Sequence, residues 1–116
     1  MGFESRVDVL LEALAAREPA AMDLGTPHLD EGAPEFEEIQ KRGSQAVPYL
    51  IARAPTAPAQ QAAWIVLAPG KIGDIQALEP LRKLRADYQA RRNKTMWDFA
   101  VIGQINVALG RFESHR

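Results

Sequence analysis

Six basic residues are concentrated in one short stretch of the chain and form the strongest candidate for chemistry. The stretch from Leu81 to Lys94 reads LRKLRADYQARRNK and contains a single acid, Asp87. Guanidinium and ammonium groups at this density bind phosphates or carboxylates. On one continuous helix, three of the six would lie along the same side. The candidate binding residues are Arg82, Lys83, Arg85, Arg91, Arg92 and Lys94.

The charge of the chain is distributed unevenly along its length. The formal net charge is −1, but residues 1–40 hold ten acids and two bases, whereas residues 41–116 hold twelve bases and five acids. Two interpretations follow. The acidic half faces the basic half in the folded protein, or the basic stretch is an open surface for nucleic acid or an acidic protein.

Other kinds of chemistry find little support in the residue types. There is no cysteine, which excludes disulfides and thiolate sites, and the two histidines, His28 and His115, lie in segments predicted to be flexible. The segment 70–74, GKIGD, lacks the spacing of a phosphate-binding loop. We therefore expect a protein that is not an enzyme and that uses neither a metal nor a cofactor.

The elements that must position the basic stretch are predicted to be helical. A chain of 116 residues with 47% apolar and 25% charged residues is typical of one globular domain. Helical spacing of apolar residues predicts the following division: an N-terminal helix over 3–17, a loop rich in Pro and Gly over 18–33, helices over 34–112, and a tail over 113–116. The longest apolar run, 62–69, is too short to cross a membrane. Because acids replace the basic start of a signal peptide, we expect a cytoplasmic protein.

The apolar run over 59–68 would suit a buried strand as well as a helix. We favour a helix because Gln and Ala residues lead into the run and its neighbours are helical. Pro69 and Gly70 are then expected to kink or end that helix.

Several residues are predicted to control where the helices begin and meet. Ser44 and Asp74 are expected to be N-caps, each starting a helix. After Asp74, the inner side of the helix is expected to include Ile75. In the last helix, 94–112, Gly103 is expected to allow a close neighbour.

The chain also repeats itself. Residues 45–50, QAVPYL, match 76–81, QALEPL, at an offset of 31 residues, and 65–72 match 105–112 at an offset of 40. Over 67–81, LAPGKIGDIQALEPL, the sequence resembles HEAT-like repeats of the short bacterial type known as PBS-lyase HEAT-like. Their pattern is a helix ending in a Leu-Gly-x-Ile-Gly-Asp turn, then a second helix opening with Ala-Leu or Ala-Val and a Pro-Leu pair. Pro69 departs from the pattern, since the family has an apolar helix former there.

The resemblance implies an all-α fold, a short right-handed α-solenoid of about five to six helices. It also implies a scaffold that binds another protein, with nucleic acid or an acidic partner at the 82–94 stretch as the alternative. Lyase relatives of the family handle bilin chromophores, but no residue here supplies that chemistry. Because a stack this short leaves an end open, homodimerisation through an end or through the last helix is a further hypothesis.

Overall fold

In the computed structural model, the residues described are 2–17, 21–23, 26–29 and 32–114. They form six α-helices, two short strands and two 3₁₀ turns. The helices are α1 (Phe3–Ala15), α2 (Pro34–Lys41), α3 (Val47–Arg53), α4 (Ala59–Ile72), α5 (Leu78–Gln89) and α6 (Met96–Ser114). The all-α prediction is confirmed at this level, because most of the described core residues lie in the six helices.

Helix α4 lies at the centre of the molecule. Its residues Gln61–Gly70 are buried without interruption, and the helix contacts α1, α2, α3 and α6. This confirms helix over strand for 59–68. The helix also continues past Pro69 to Ile72, so the expected end there is wrong. The free energy gained by burying the surrounding turns is larger than the cost of the backbone hydrogen bond that a proline inside a helix removes.

Helix α4 makes its most extensive contact with α6. An added Cβ at Gly70 would lie 2.7 Å from the Cβ and 2.9 Å from the Cα of Ala108, so the two helices touch at Gly70. The prediction assigned that role to Gly103. It is wrong, because no described neighbour lies within 4 Å of a Cβ built at Gly103.

The turns into α3 and α5 share one design. Gly43 and Gly73 adopt φ of +60° and +81°. Gly43 is the first residue of the 3₁₀ turn Gly43–Gln45, and Gly73 comes two residues before the 3₁₀ turn Ile75–Ala77. Only glycine adopts such backbone angles at little cost. Each turn leads into one of the two segments, 45–50 and 76–81, that repeat in the sequence at an offset of 31 residues.

Two of the predicted helix starts need correction because of these 3₁₀ turns. Ser44 lies inside the first turn, and α3 begins at Val47 with Ala46 at the N-cap position. Asp74 does cap, but it accepts from the Gln76 amide at 3.0 Å and so starts the second turn. Since that turn changes the helical phase, Ile75 is 63% exposed and not on the inner side.

The predicted loop over 18–33 contains a short hairpin. Strands β1 (Ala21–Asp23) and β2 (Thr26–His28) pair antiparallel, with Asp23 opposite Thr26, and β2 lies against α6. Strands of three residues are too short for the alternation of apolar and polar residues to be recognised in a sequence. Part of the predicted loop, and His115 in the predicted tail, lie outside the described residues.

Among the described residues, ion pairs involve three acids of the N-terminal half, Asp8, Glu35 and Glu38. The Arg6 guanidinium donates to both carboxylate oxygens of Glu38 at 2.7 Å, joining α1 to α2. Arg17 pairs with Glu35 at 2.9 Å, and Asp8 accepts from the Tyr49 hydroxyl on α3. In the described residues, the acids of 4–38 pair with bases outside the 82–94 stretch. Two of these bases, Arg42 and Arg53, belong to the basic half of the sequence, so the two halves neutralise each other in part, but not through the 82–94 stretch.

Candidate functional site

The six predicted binding residues do not lie along one helix. Helix α5 ends at Gln89, so Arg82, Lys83 and Arg85 are helical, whereas Arg91, Arg92 and Lys94 lie in the connection to α6. The chain turns at Asn93, which adopts a φ of +54°. The structure thus divides the basic stretch into three parts with different surroundings.

The first part builds the corner between α5 and α6. The Arg91 guanidinium donates to Asp98 at 2.9 Å and lies over the ring of Tyr88, 3.8 Å from its centre. Lys94 Nζ donates to the carbonyl of Arg91 at 2.9 Å. Tyr88 itself is buried, and burial raises the pKa of its hydroxyl. Arg91 and Lys94 therefore hold the corner together.

Asp98 combines two roles in this corner. It accepts from the Thr95 amide at 2.9 Å, while its own amide donates to Thr95 Oγ1 at 3.2 Å, which is a capping box at the start of α6. Burial acts to raise the pKa of Asp98, but the hydrogen bonds from Thr95 and Arg91 outweigh it and the net direction is down. The sequence analysis missed this residue, although the Thr-x-x-Asp spacing over 95–98 was readable.

The second part of the basic stretch faces α6. Arg85 donates to Asn106 Oδ1 at 2.9 Å, and Arg82, one turn earlier on the same flank of α5, pairs with Glu79 at 2.7 Å. Contacts from Arg85 to Asn106 and from Arg91 to Asp98 show that α5 and α6 run antiparallel. Arg82 therefore lies level with the residues just beyond Asn106, toward the end of α6.

Lys83 lies on the opposite flank of α5. It borders a groove of about 190 Å³ between α3 and α5, with Asp87 also at its edge. The walls are apolar, formed by Ile51, Ala54, Pro55, Pro80, Leu81 and Leu84. Among the described residues, no acid forms an ion pair with Lys83 or with Arg92.

The outer side of α6 carries an apolar surface that the sequence analysis did not identify. Met96, Phe99 and Val107 are 45%, 52% and 47% exposed. No charged residue occurs from Phe99 to Gly110. We call this surface the outer α6 stripe; it comprises Met96, Phe99, Gly103, Asn106, Val107 and Gly110.

A signal for the outer α6 stripe was present in the sequence. Residues 96, 99, 103, 106 and 110 are spaced by alternating steps of three and four, as along one side of a helix that packs on another. The stripe was overlooked because the inner side of the same helix shows a similar pattern, and only packing tells which side is covered. That inner side includes Val101, Ile105, Ala108 and Phe112, all buried.

An open cavity of about 720 Å³ lies at the C-terminal end of α6. Its lining includes Lys71, Ile75, Arg111 and Phe112. Both cationic residues already interact with other groups. Within the described ranges, no cluster of three or more His, Asp or Glu side chains is arranged to hold a metal ion.

Comparisons of the chain with protein-family models, with curated proteins and with solved structures found no match. Across the part of the chain that the structure describes, none of the helices is both long and apolar enough to span a bilayer.

Proposed function

We propose that this chain is a non-enzymatic protein-interaction module that binds its partner through the outer α6 stripe. The observation that carries the proposal is the exposure of Met96, Phe99 and Val107 on a helix face with no charge from Phe99 to Gly110. Exposed apolar surface of this continuity is typical of binding sites, and a large aromatic such as Phe99 is the kind of residue that dominates binding energy.

The stripe is not required for folding. The inner side of α6 already packs against α4 and α5, and its apolar residues are buried there. A solvent-facing helix side would ordinarily carry charged residues, which keep a protein soluble and cost little. A side that lacks them is best explained by contact with another macromolecule.

The repeated local design supports the HEAT-like interpretation of the scaffold. In α2–α3 and in α4–α5, a glycine with positive φ follows the first helix, a 3₁₀ turn begins at that glycine or two residues after it, and a proline lies in the first turn of the second helix. We propose that these are two HEAT-like pairs in a short solenoid, with α6 as the closing half repeat. Its outer side would then be the open end of the stack.

Capture from an extract of the source cells tests the proposal. We expect the wild-type chain to retain a partner that Phe99→Ser with Val107→Ser does not retain. Val9→Ser is the matched control, because Val9 is an exposed apolar residue on α1, 42% exposed, outside the stripe. Equal capture by all three proteins would contradict the proposal.

Nucleic acid remains the second candidate, favoured by Lys83 and Arg92, for which the described residues supply no acidic partner. Binding through these cations would weaken steeply as salt rises. Fluorescence anisotropy with a labelled duplex and a labelled single strand measures this. Loss of the signal in Lys83→Ala with Arg92→Ala would support nucleic acid as the ligand, and absence of binding at low salt would remove it.

A further inference from the structure

We infer that the partner segment is an amphipathic α-helix that carries carboxylates along one flank of its apolar face. The inference rests on the proposed function and specifies what the outer α6 stripe binds. It is carried by the position of the stripe directly beside Arg85, whose guanidinium donates to Asn106 of the stripe.

A partner that packs on the side of α6 must satisfy its own backbone hydrogen bonds, because the backbone of α6 offers it none. A strand or extended peptide gains affinity by pairing with free N–H and C=O groups at a sheet edge. Helix α6 bonds these groups internally over Met96–Ser114, so its side offers only side chains. Since a helix likewise satisfies its own backbone, a helix is the form of partner that fits.

The spacing and size of the stripe residues also fit a helix. Residues 96, 99, 103, 106 and 110 follow the three-and-four spacing by which one helix packs along another. Gly103 and Gly110 have no described neighbour within 4 Å of an added Cβ, so a second backbone could approach closely there. Phe99 supplies a large side chain between them and the start of α6.

Charge complementarity indicates the chemistry of the flank. Arg85 reaches Asn106, a member of the stripe, at 2.9 Å, and so places a guanidinium at the stripe's α5 edge. Arg82 lies about one turn from Arg85 along α5; it pairs there with Glu79, whose side chain is 77% exposed. Carboxylates at the matching positions of a bound helix would pair with these guanidiniums, whereas cations would be repelled.

A second copy of the chain fits this surface less well. From Phe99 to Gly110 the helix carries no carboxylate, so a second α6 laid on the stripe has none there to offer Arg85. Self-association therefore becomes an outcome that the experiment must distinguish.

Two designed helical peptides of about 20 residues test the inference with the intact protein. Both have the same Leu and Ala stripe, and one carries Glu, the other Lys, at the same flank positions. By anisotropy we expect the Glu peptide to bind roughly tenfold more tightly at low salt. Arg85→Glu should reverse that preference. The control is Lys83→Glu, the same kind of charge reversal on the opposite flank of α5, which should leave the preference unchanged.

Each outcome separates the inference from the proposed function. Equal binding of the two peptides, lost in Phe99→Ser, would overturn the acidic flank while leaving the stripe as the binding surface. Binding of neither peptide would overturn the helical partner, and Phe99-dependent capture from extract would then still decide the proposed function. Self-association of the chain in sedimentation, abolished by Phe99→Ser, would assign the stripe to a second copy and overturn the inference.

Discussion

Gly70 shows how one residue sets the distance between the two most closely packed helices. A methyl group there would lie 2.7 Å from the Cβ of Ala108 and 2.9 Å from its Cα, and the Cα belongs to a backbone that cannot move aside alone. Alanine favours helix over glycine by about 1 kcal/mol, but this gain is smaller than the cost of forcing α4 and α6 apart.

We expect Gly70→Ala to lower the free energy of unfolding by about 1–3 kcal/mol. Urea denaturation followed by circular dichroism measures the change. Gly103→Ala is the matched control, because no described atom lies within 4 Å of its added Cβ and the helix should gain up to about 1 kcal/mol. A stabilised Gly70→Ala variant would contradict the packing of α4 against α6.

The two glycines also mark a limit of sequence reasoning at this scale. A glycine within a helical pattern indicates that close contact is allowed, and Gly103 satisfied that condition as well as Gly70 did. Which glycine is used depends on the neighbour, Ala108, which is 38 positions from Gly70 along the chain. No local pattern contains that information.

Glu38 makes part of the stability dependent on pH. The hydrogen bond from Arg6 is the main cause that lowers the pKa of Glu38 to about 2, with further contributions from Arg42. In the unfolded chain the pKa is near the usual value of about 4.3. Between these values the unfolded state binds more protons, so this contribution to stability is lost as the pH falls from about 4.5 to about 2.

We therefore expect the melting temperature of the Glu38→Gln variant to decrease less than that of the wild type as the pH falls through that range. A residual slope should remain, because the pKa values of Glu35 and Asp98 are lowered too. Glu37→Gln is the control, an exposed acid on the same helix. Identical pH profiles for wild type and Glu38→Gln would show that the Arg6 pair does not contribute.

The corner between α5 and α6 is the element on which the site depends most. It fixes the antiparallel arrangement that places Arg85 beside the outer α6 stripe. Asp98 holds this corner through the Thr95 amide and the Arg91 guanidinium, at 2.9 Å each. Because its side chain is only 10% exposed, the pair with Arg91 is less screened than one at an open surface.

We expect Asp98→Ala to lower the free energy of unfolding by about 1–3 kcal/mol, because it removes a helix cap and leaves Arg91 without its carboxylate. A double-mutant cycle with Arg91→Ala should give a coupling of about 1 kcal/mol, measured by urea denaturation. Additive effects would indicate that the two side chains act independently.

Whole elements were predicted more securely than their boundaries. Apolar periodicity identified α1, α2, α3, α5 and α6, because burial of one helix side imposes that pattern. Helix α4 is apolar without interruption over 62–69, and it was predicted from the Gln and Ala residues that lead into it and from its helical neighbours. The 3₁₀ turns Gly43–Gln45 and Ile75–Ala77 and the hairpin strands were missed. Each is three residues long, and their hydrogen bonds depend on neighbouring turns and not on a repeating apolar pattern.

At the scale of the whole molecule, α6 has one side buried in the core and one side exposed, and we propose that the exposed side binds the partner. The sequence contained both patterns, yet it could not show which would be covered by α4 and α5. Six cations were also predicted to act together because they lie close to one another along the chain. In the folded protein, Arg91 and Lys94 bond to groups of the corner, Arg85 contacts α6, and Lys83 borders the groove between α3 and α5.

Because one side of α6 is buried and the other is exposed, substitutions on the two sides are expected to differ greatly in their effect on stability. Ile105→Ala, on the buried side, should lower the free energy of unfolding by about 2–5 kcal/mol, whereas Phe99→Ser should change it by about 0.5 kcal/mol or less. Thermal and urea denaturation measure both. A large loss of stability in Phe99→Ser would mean that the outer α6 stripe serves the fold.

The most direct test of the binding surface is to map where a bound helix perturbs the protein. Amide signals of the ¹⁵N-labelled chain are recorded while the Glu-flanked peptide is added. We predict that the shifts concentrate on Met96–Gly110 and on Arg82 to Arg85, with α1 and α2 unchanged. Shifts centred on α1, or on the groove between α3 and α5, would contradict the assignment of the outer α6 stripe as the surface that binds the partner.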